Sequence, residues 1–489
     1  MQLPEPDVPL SISTTPAEKI AQTIAFAVLY AAPALLCLHG SSLGDPDIWW
    51  HLSAGNWIVQ HHAVPHVDIF SSAVGGHPWQ AYSWLFELLV AWLYQHLGLV
   101  GIFTYTAAMI LAITSALHHL VRRLQPDFAV AALLTFVAVY SLVRLYTPRP
   151  WLFTILLFIL EVDILMHVRK TGKTRGLAWL PLIFALWANL HIQFINGLLV
   201  LFLALAESVA ARWQQGGSPK PRTAALAGAL IASLLATLAN PYGWHIYRVA
   251  YDLASQAGVL DKVSELQAIP FRDLQDYLIL LLALAATAVL ARKRRLQLFE
   301  AGLLAFAAYT SFRSQRDIWI MAVAAAAILA AGITTHEQNT RRIPAFITPI
   351  AVVLACLALL LDFRVMHRDN AALATLQARD LPVKAVQFIQ QKGYRGPLYN
   401  DYGWGGYLIW SLHMPVSIDG RAALYGDQRI DRSVQTWSGQ PDWASDPQLS
   451  AAGLVIGPVK SPLIQLLRLD PRFELAYEDK VAAVFVPRK

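Results

Sequence analysis

Charge is scarce in this chain. Of its 489 residues only 14% are Asp, Glu, Lys or Arg, against about a quarter in an ordinary soluble protein. Cysteine is nearly absent, and Cys37 and Cys356 fall inside separate apolar blocks, which argues against a disulfide framework or a zinc site. Signature loops are missing too. There is no Walker loop, no GxGxxG in a strand–helix setting, and no HExxH, GxSxG or CxxC. Nucleotide-driven and protease chemistries are therefore without support. No internal repeat of the transporter kind is visible. The net charge of +6 matches basic cytoplasmic loops and carries no sign of a nucleic-acid partner.

What is abundant is apolar sequence, 56% of the total, in blocks long enough to cross a bilayer. Segments apolar on all sides favour an all-α polytopic membrane bundle over a barrel. Residues 1–18, rich in Pro, Ser and Thr, read as disordered. The first apolar block, about 21–38, lacks a basic leader and a small-residue cleavage site, so it reads as a retained anchor. Counting the block at 82–97 as a span would put His118 to Arg123, Arg169 to Arg175 and Arg292 to Arg295 outside, against the positive-inside rule. Laid along the outer surface instead, this short block with Glu87 lets those clusters face the cytoplasm, with Arg212 to Arg222 and Arg341-Arg342. The expectation is eleven spans in an inner (plasma) membrane, N-terminus inside and C-terminus outside. The membrane part covers 19–362, with a long outer loop over 40–100. In residues 363–489 short apolar runs alternate with helical patterns, which predicts an extracytoplasmic α/β domain.

In that topology the polar motifs share the outer side. Asp45, Pro46 and Asp47 precede Ile48-Trp49-Trp50-His51. Asp45 reads as a helix cap with Pro46 in the first helical position, opening a helix to about His61. Two carboxylates this close suit oxygen ligation of a divalent cation such as Mg2+ or Mn2+, or one of them acts as general base. Side chains two apart on a helix diverge, so Asp47, inside the helix, is the first choice for the base and Asp45 for cap or metal ligand. His51 follows one turn later. Arg149 and Arg316 are planar forks suited to phosphate. Asn189 and His191 close a later helix, Asn240 to His245 close another, and Glu265 reaches in from a loop. Ionisable groups at the rim of a bundle mark a site, and so many on one side predict a shared cavity. In the tail, Trp404, Tyr407, Asp419 and Arg421 have the aromatic and polar character of a sugar-binding surface, and equally that of ordinary turns.

Asp45 to Trp50, followed by His77-Pro78-Trp79 and Trp84-Leu85-Phe86-Glu87, resemble the GT-C-type membrane glycosyltransferases. So do Trp187 to His191, Asn240 to Gly243, Ser314 to Asp317, Gly405-Gly406-Tyr407 and Asp419-Gly420-Arg421. That superfamily includes protein O-mannosyltransferases and aminoarabinose transferases, and the resemblance runs over nearly the whole chain from about residue 20. It implies a sugar donor on polyprenyl phosphate, inversion at the anomeric carbon, and an acidic residue of the first outer loop as base. That role is carried to Asp47, with Asp45 as alternate. The acceptor would be an envelope lipid, polysaccharide or protein. Asp-Pro-Asp departs from the Asp and Glu pair of the mannosyltransferases, which counts against a protein acceptor. The competing readings are a flippase or polymerase of lipid-linked saccharides and a non-catalytic lipid-binding relative. A transporter would place ionisable groups near the bilayer midplane, whereas Asp163 and Glu207 fall toward the predicted cytoplasmic side of their helices.

Overall fold

A chain inside a bilayer must satisfy its own N–H and C=O groups, and helices do so within one segment. The computed structural model describes residues 15–39, 45–214, 221–255, 263–293, 297–334, 344 and 346–488. Residues 1–14, Gly44, Arg294-Arg295 and Arg341-Arg342 lie outside the described residues. The described chain opens with α1 (Pro16–His39), α2 (Ile48–His61), α3 (Trp84–Leu97), α4 (Leu99–Leu124) and α5 (Phe128–Tyr140). Next come α6 (Trp151–Thr171), α7 (Leu180–Leu190), α8 (Phe194–Gln214), α9 (Pro221–Ala236) and α10 (His245–Ser255). The helices Leu274–Ala291, Leu298–Arg313, Ile318–Gly332 and Ile347–Val365 complete the apolar part.

Among the described residues seven helices are long and apolar enough to cross a membrane. The chain is a polytopic membrane protein, with seven clear spans where eleven were expected. The remaining apolar helices are shorter: α5, 175–190 and 222–236, and Leu298–Arg313, which carries Glu300 in its first turn. They stop early because the chain turns out of them. α5 gives way to a 3-10 turn through Arg144, and α7 ends where His191 becomes extended. Helix α1 also departs from expectation. Thr15 and Glu18 exchange side-chain to backbone hydrogen bonds of 3.0 and 3.3 Å, a capping box. Residues 16–18 are therefore helical and not disordered. The centre of the bundle is Ile318–Gly332, buried from Ile318 to Ala330; its alanines let neighbouring helices approach closely.

The block expected to lie along the surface is α3, fourteen residues long and not among the seven. It packs on α2 at Gly55, where a Cβ would stand 2.1 Å from the Glu87 carbonyl oxygen. Beyond the last span lies a mixed four-stranded sheet in the order β1-β2-β4-β3, formed by β1 (Leu398–Asn400), β2 (Leu454–Pro458), β3 (Phe473–Glu478) and β4 (Ala482–Pro487). β1 runs parallel to β2, and β4 runs antiparallel to both β2 and β3. Two apolar runs of the tail are not strands: 407–410 lies in the helix Gly405–Leu412, and Val416 makes only isolated bridges to Ser71 and Leu398. This C-terminal region roofs the start of α2. Tyr407 packs edge-on to Trp49 at 5.2 Å, and Val416 exchanges backbone hydrogen bonds with Phe70 and Ser72 at 3.0 and 2.8 Å.

Candidate functional site

Under that roof lies a cavity of about 720 Å³. Its walls come from the starts of α2 and α3, the turn before α6, the end of α7, the 263–266 loop and residues 420–424. It brings together Asp45, Asp47, His51, Arg149, His191, Glu265, Arg316 and Arg421.

Arg149 is the hub. Pro150 follows it at the head of α6, and its guanidinium lies 5.0 Å over the Trp151 ring. Nε donates to Asp45 Oδ2 at 2.6 Å and Nη1 donates to Asp47 Oδ2. Nη2 stands 3.8 Å from Glu265, whose other oxygen is 3.7 Å from Arg316. The expected cap is therefore displaced. α2 starts at Ile48 with Asp47 in the cap position, and Pro46 and Asp47 form a turn. Asp45 Oδ1 accepts the Asp47 N–H at 3.0 Å. From that turn ahead of the helix, the two carboxylates converge on the Arg149 guanidinium.

Burial governs the titrations. It pushes Asp47 up to about 7; Arg149 opposes this, while Asp45, Glu265 and Asp419 add to it. Burial would lower Arg149, but Asp45, Asp47 and Glu265 hold it well above its ordinary value. Burial, with Arg149, His191 and Arg421, lowers His51 well below the usual imidazole range, and burial with Arg316 and Arg149 takes His191 down to about 3. Both shifts favour the neutral imidazole, and each ring has a hydrogen-bond partner. His51 Nδ1 shares a hydrogen bond of 3.3 Å with Glu87 Oε1, and His191 Nδ1 one of 2.8 Å with Thr154 Oγ1. Burial raises Glu87 to about 8.

Four residues expected to bind substrate are not among those lining the cavity. Asn189 accepts from Trp84 Nε1 at 2.7 Å and donates to the Ala185 and Ala239 carbonyls, tying α3, α7 and the end of α9 together. Trp404 donates to the Asp380 carbonyl at 3.1 Å, and Tyr407 packs on Trp49. Asp419, fully buried, grips Arg421 through Nε at 2.9 Å and Nη2 at 2.7 Å. Arg421 itself reaches the cavity, braced by Asp68 at 2.6 Å and lying 4.7 Å over Trp79. Gly420 presses on the acid cluster, since a Cβ there would come within 1.8 Å of Asp47 Oδ1.

Asp45 and Asp47 would be the ligands of a divalent cation, but both are already drawn onto Arg149. No group of three or more His, Cys, Asp or Glu side chains gathers as metal ligands among the described residues. The donor set does not fit a resident cation. The cavity also uses residues that sequence reasoning did not assign to it: Trp50, Ser83, Glu87, Thr147, Tyr402 and Gly420. One signal for them was visible. Ser83 and Glu87 are polar residues four apart at the head of an apolar block, hence on one helix face.

No family model matches the chain, and no curated protein matches it. Among solved structures it is similar to the crystal structure of ArnT from Cupriavidus metallidurans bound to undecaprenyl phosphate, with a TM-score of 0.50 and 13% identity. The likeness covers 94% of this chain and 97% of that one. At this identity it is a likeness of fold, and it extends over nearly the whole molecule.

Proposed function

From the fold shared with ArnT and the arginine–carboxylate cluster inside it, we propose that this protein is an inverting membrane glycosyltransferase. It moves a sugar from a polyprenyl-phosphate donor to a hydroxyl group of an envelope acceptor. One observation carries the reading: Asp45, Asp47, Arg149, Glu265 and Arg316, far apart in sequence, line one cavity. The undecaprenyl phosphate bound by ArnT supports a ligand of the same kind here. The basic loops support a site on the outer face of the inner membrane.

Arg149 and Arg316 hold the donor phosphate, for which guanidinium forks are suited. Arriving phosphate competes with Asp47 for Arg149 and frees the carboxylate. Asp47 accepts the proton of the acceptor hydroxyl as that oxygen bonds to the anomeric carbon. The bond from that carbon to the phosphate oxygen breaks, and polyprenyl phosphate leaves with the electron pair. Phosphate is a competent leaving group, so positioning and charge stabilisation are the main tasks of the protein. An acid at about 7 is matched to a base working near neutrality. Asp45 suits the supporting role, since one oxygen holds the Asp47 N–H and the other holds Arg149.

The test is release of undecaprenyl phosphate from a radiolabelled undecaprenyl-phosphate sugar by purified protein with cell-envelope acceptors. Asp47→Asn should bind donor and fail to transfer. Wild-type turnover by that variant and by the Asp45→Asn/Asp47→Asn double would overturn the assignment.

A further inference from the structure

Several buried polar atoms around the cavity have no hydrogen-bond partner among the described residues: Trp50 Nε1, Ser83 Oγ, Glu87 Oε2, Thr147 Oγ1 and Arg316 Nε. Buried polar groups in folded proteins are almost always paired, because leaving them unpaired is costly. Gathered around one cavity, these atoms leave hydrogen-bonding capacity that a ligand can use. The atoms fall into two sets. Thr147 and Arg316 belong with Arg149 on the cationic side. Trp50, Ser83 and Glu87 belong to α2 and the head of α3, held together by the close approach of these helices at Gly55.

The second set has a different character. Ser83 and Glu87 lie on one face of α3, one turn apart. Glu87 Oε1 meets His51, and the Trp50 ring lies against His51 with centroids 3.6 Å apart. The nearby cation, Arg421, is already taken by Asp68 and Asp419. An indole N–H, a hydroxyl and a carboxyl beside the His51 imidazole therefore belong to one part of the cavity wall, with hydrogen-bonding capacity and no free positive charge.

We infer that Trp50, Ser83 and Glu87 form the subsite for the transferred sugar and select an uncharged one. The inference rests on the polyprenyl-phosphate reading above, because the arginine side must hold the phosphate for the sugar to reach this side. Hydroxyl and acetamido groups match the open donors and acceptors. An anionic sugar would find no free cation on this side, since Arg421 is held by Asp68 and Asp419. A cationic amine would need Glu87 ionised where burial opposes its charge.

Binding to the full-length protein in nanodiscs tests this. The probes are undecaprenyl phosphate alone and undecaprenyl phosphate carrying glucose, N-acetylglucosamine, galacturonic acid or 4-amino-4-deoxyarabinose. A neutral sugar should bind about tenfold or more tighter than the bare lipid phosphate, the scale of one or two buried hydrogen bonds. Ser83→Ala and Glu87→Leu should remove that increment and leave bare undecaprenyl phosphate unaffected, while Glu87→Gln, which keeps shape and hydrogen bonding, should retain it. The subsite is overturned if a charged sugar binds best, if no neutral sugar exceeds the bare lipid, or if Glu87→Gln and Ser83→Ala weaken bare and sugar-bearing lipid alike. If bare undecaprenyl phosphate binds no worse to Arg149→Lys and Arg316→Met than to wild type, the donor reading itself fails and takes the subsite with it.

Discussion

Arg149 and Arg169 stand at opposite ends of α6, each among carboxylates and each beside a cavity. Arg169 grips Glu207 through Nε and Nη2 at 2.7 and 2.8 Å, and Glu300 through Nη1 at 3.2 Å. Glu300 also takes Lys293, and Glu207 also accepts the Phe299 N–H at 3.1 Å. The guanidinium lies 4.7 Å over the Phe299 ring, and the cavity beside it is about 310 Å³. There the charges close on one another and stitch α6, α8 and the helix Leu298–Arg313 together. At the Arg149 end the cavity is about 720 Å³, polar atoms stand unpaired around it, and burial holds a carboxyl near 7. Among the described residues one buried atom without a partner, Arg222 Nε, belongs to the Arg169 cavity, against five at the Arg149 cavity, so Arg169 reads as a strut in a nearly closed cluster and Arg149 stands beside open hydrogen-bonding capacity.

The contrast can be broken by experiment. Asp47→Asn carries the largest expected effect, a loss of about 10²–10⁴ in transfer rate, the range for a general base. Donor binding should persist; a variant within threefold of wild type would place Asp47 with the struts. Arg169→Met takes the shared guanidinium from Glu207 and Glu300, which keep the Phe299 N–H and Lys293 as partners, and should lower unfolding stability by about 1–3 kcal/mol, read in a thermal melt. Folded at low temperature, it should transfer at the wild-type rate, and a specific rate loss there would erase the distinction. Gly420→Ala forces a methyl toward Asp47 Oδ1 and should slow transfer about tenfold, near 1.4 kcal/mol of barrier, without weakening lipid binding. The subtlest test is pH. Asp47 acts only as the carboxylate, so transfer should rise through about pH 7 and fall away below it. The Asp45 charge contributes to the upward shift of Asp47, so Asp45→Asn should move that limb toward acid. Arg169→Met should leave the limb where it is.

Much of the cavity was legible because a polar residue at the end of an apolar helix stands out. Asp45, Asp47, His51, Arg149, His191, Glu265, Arg316 and Arg421 all line it. What stayed hidden was tertiary. Nothing local shows that Asp45 and Asp47 turn onto an arginine about a hundred residues away, and the Asp-Pro-Asp sequence pointed to a helix start two residues too early. Glu87 was visible as a reason for a block not to cross the membrane and as part of a family motif, but not as a wall of the cavity, since its partner His51 lies on another helix. Trp404, Tyr407 and Asp419 read equally as a sugar-binding surface and as ordinary turns; none of the three lines the cavity, and they contact Asp380, Trp49 and Arg421. Strand β3 escaped notice because it is an edge, with Glu474 and Glu478 among its apolar residues and Leu475 exposed.

The roof also sets a schedule. The 416–421 segment is tied to β1: Asn400 donates to the Ile418 carbonyl at 2.8 Å and accepts from the Ser417 N–H at 2.9 Å. β1 leans on β2, and β2 on β4 in the sheet interior. The ribosome makes β4 after every residue that lines the cavity. A growing chain can thus have its helices inserted, with Asp47 and Arg149 in place, while Gly420 and Arg421 still lack the sheet that holds them. Translation and competence are separated in time, and a chain stalled before residue 482 would be membrane-embedded yet unroofed.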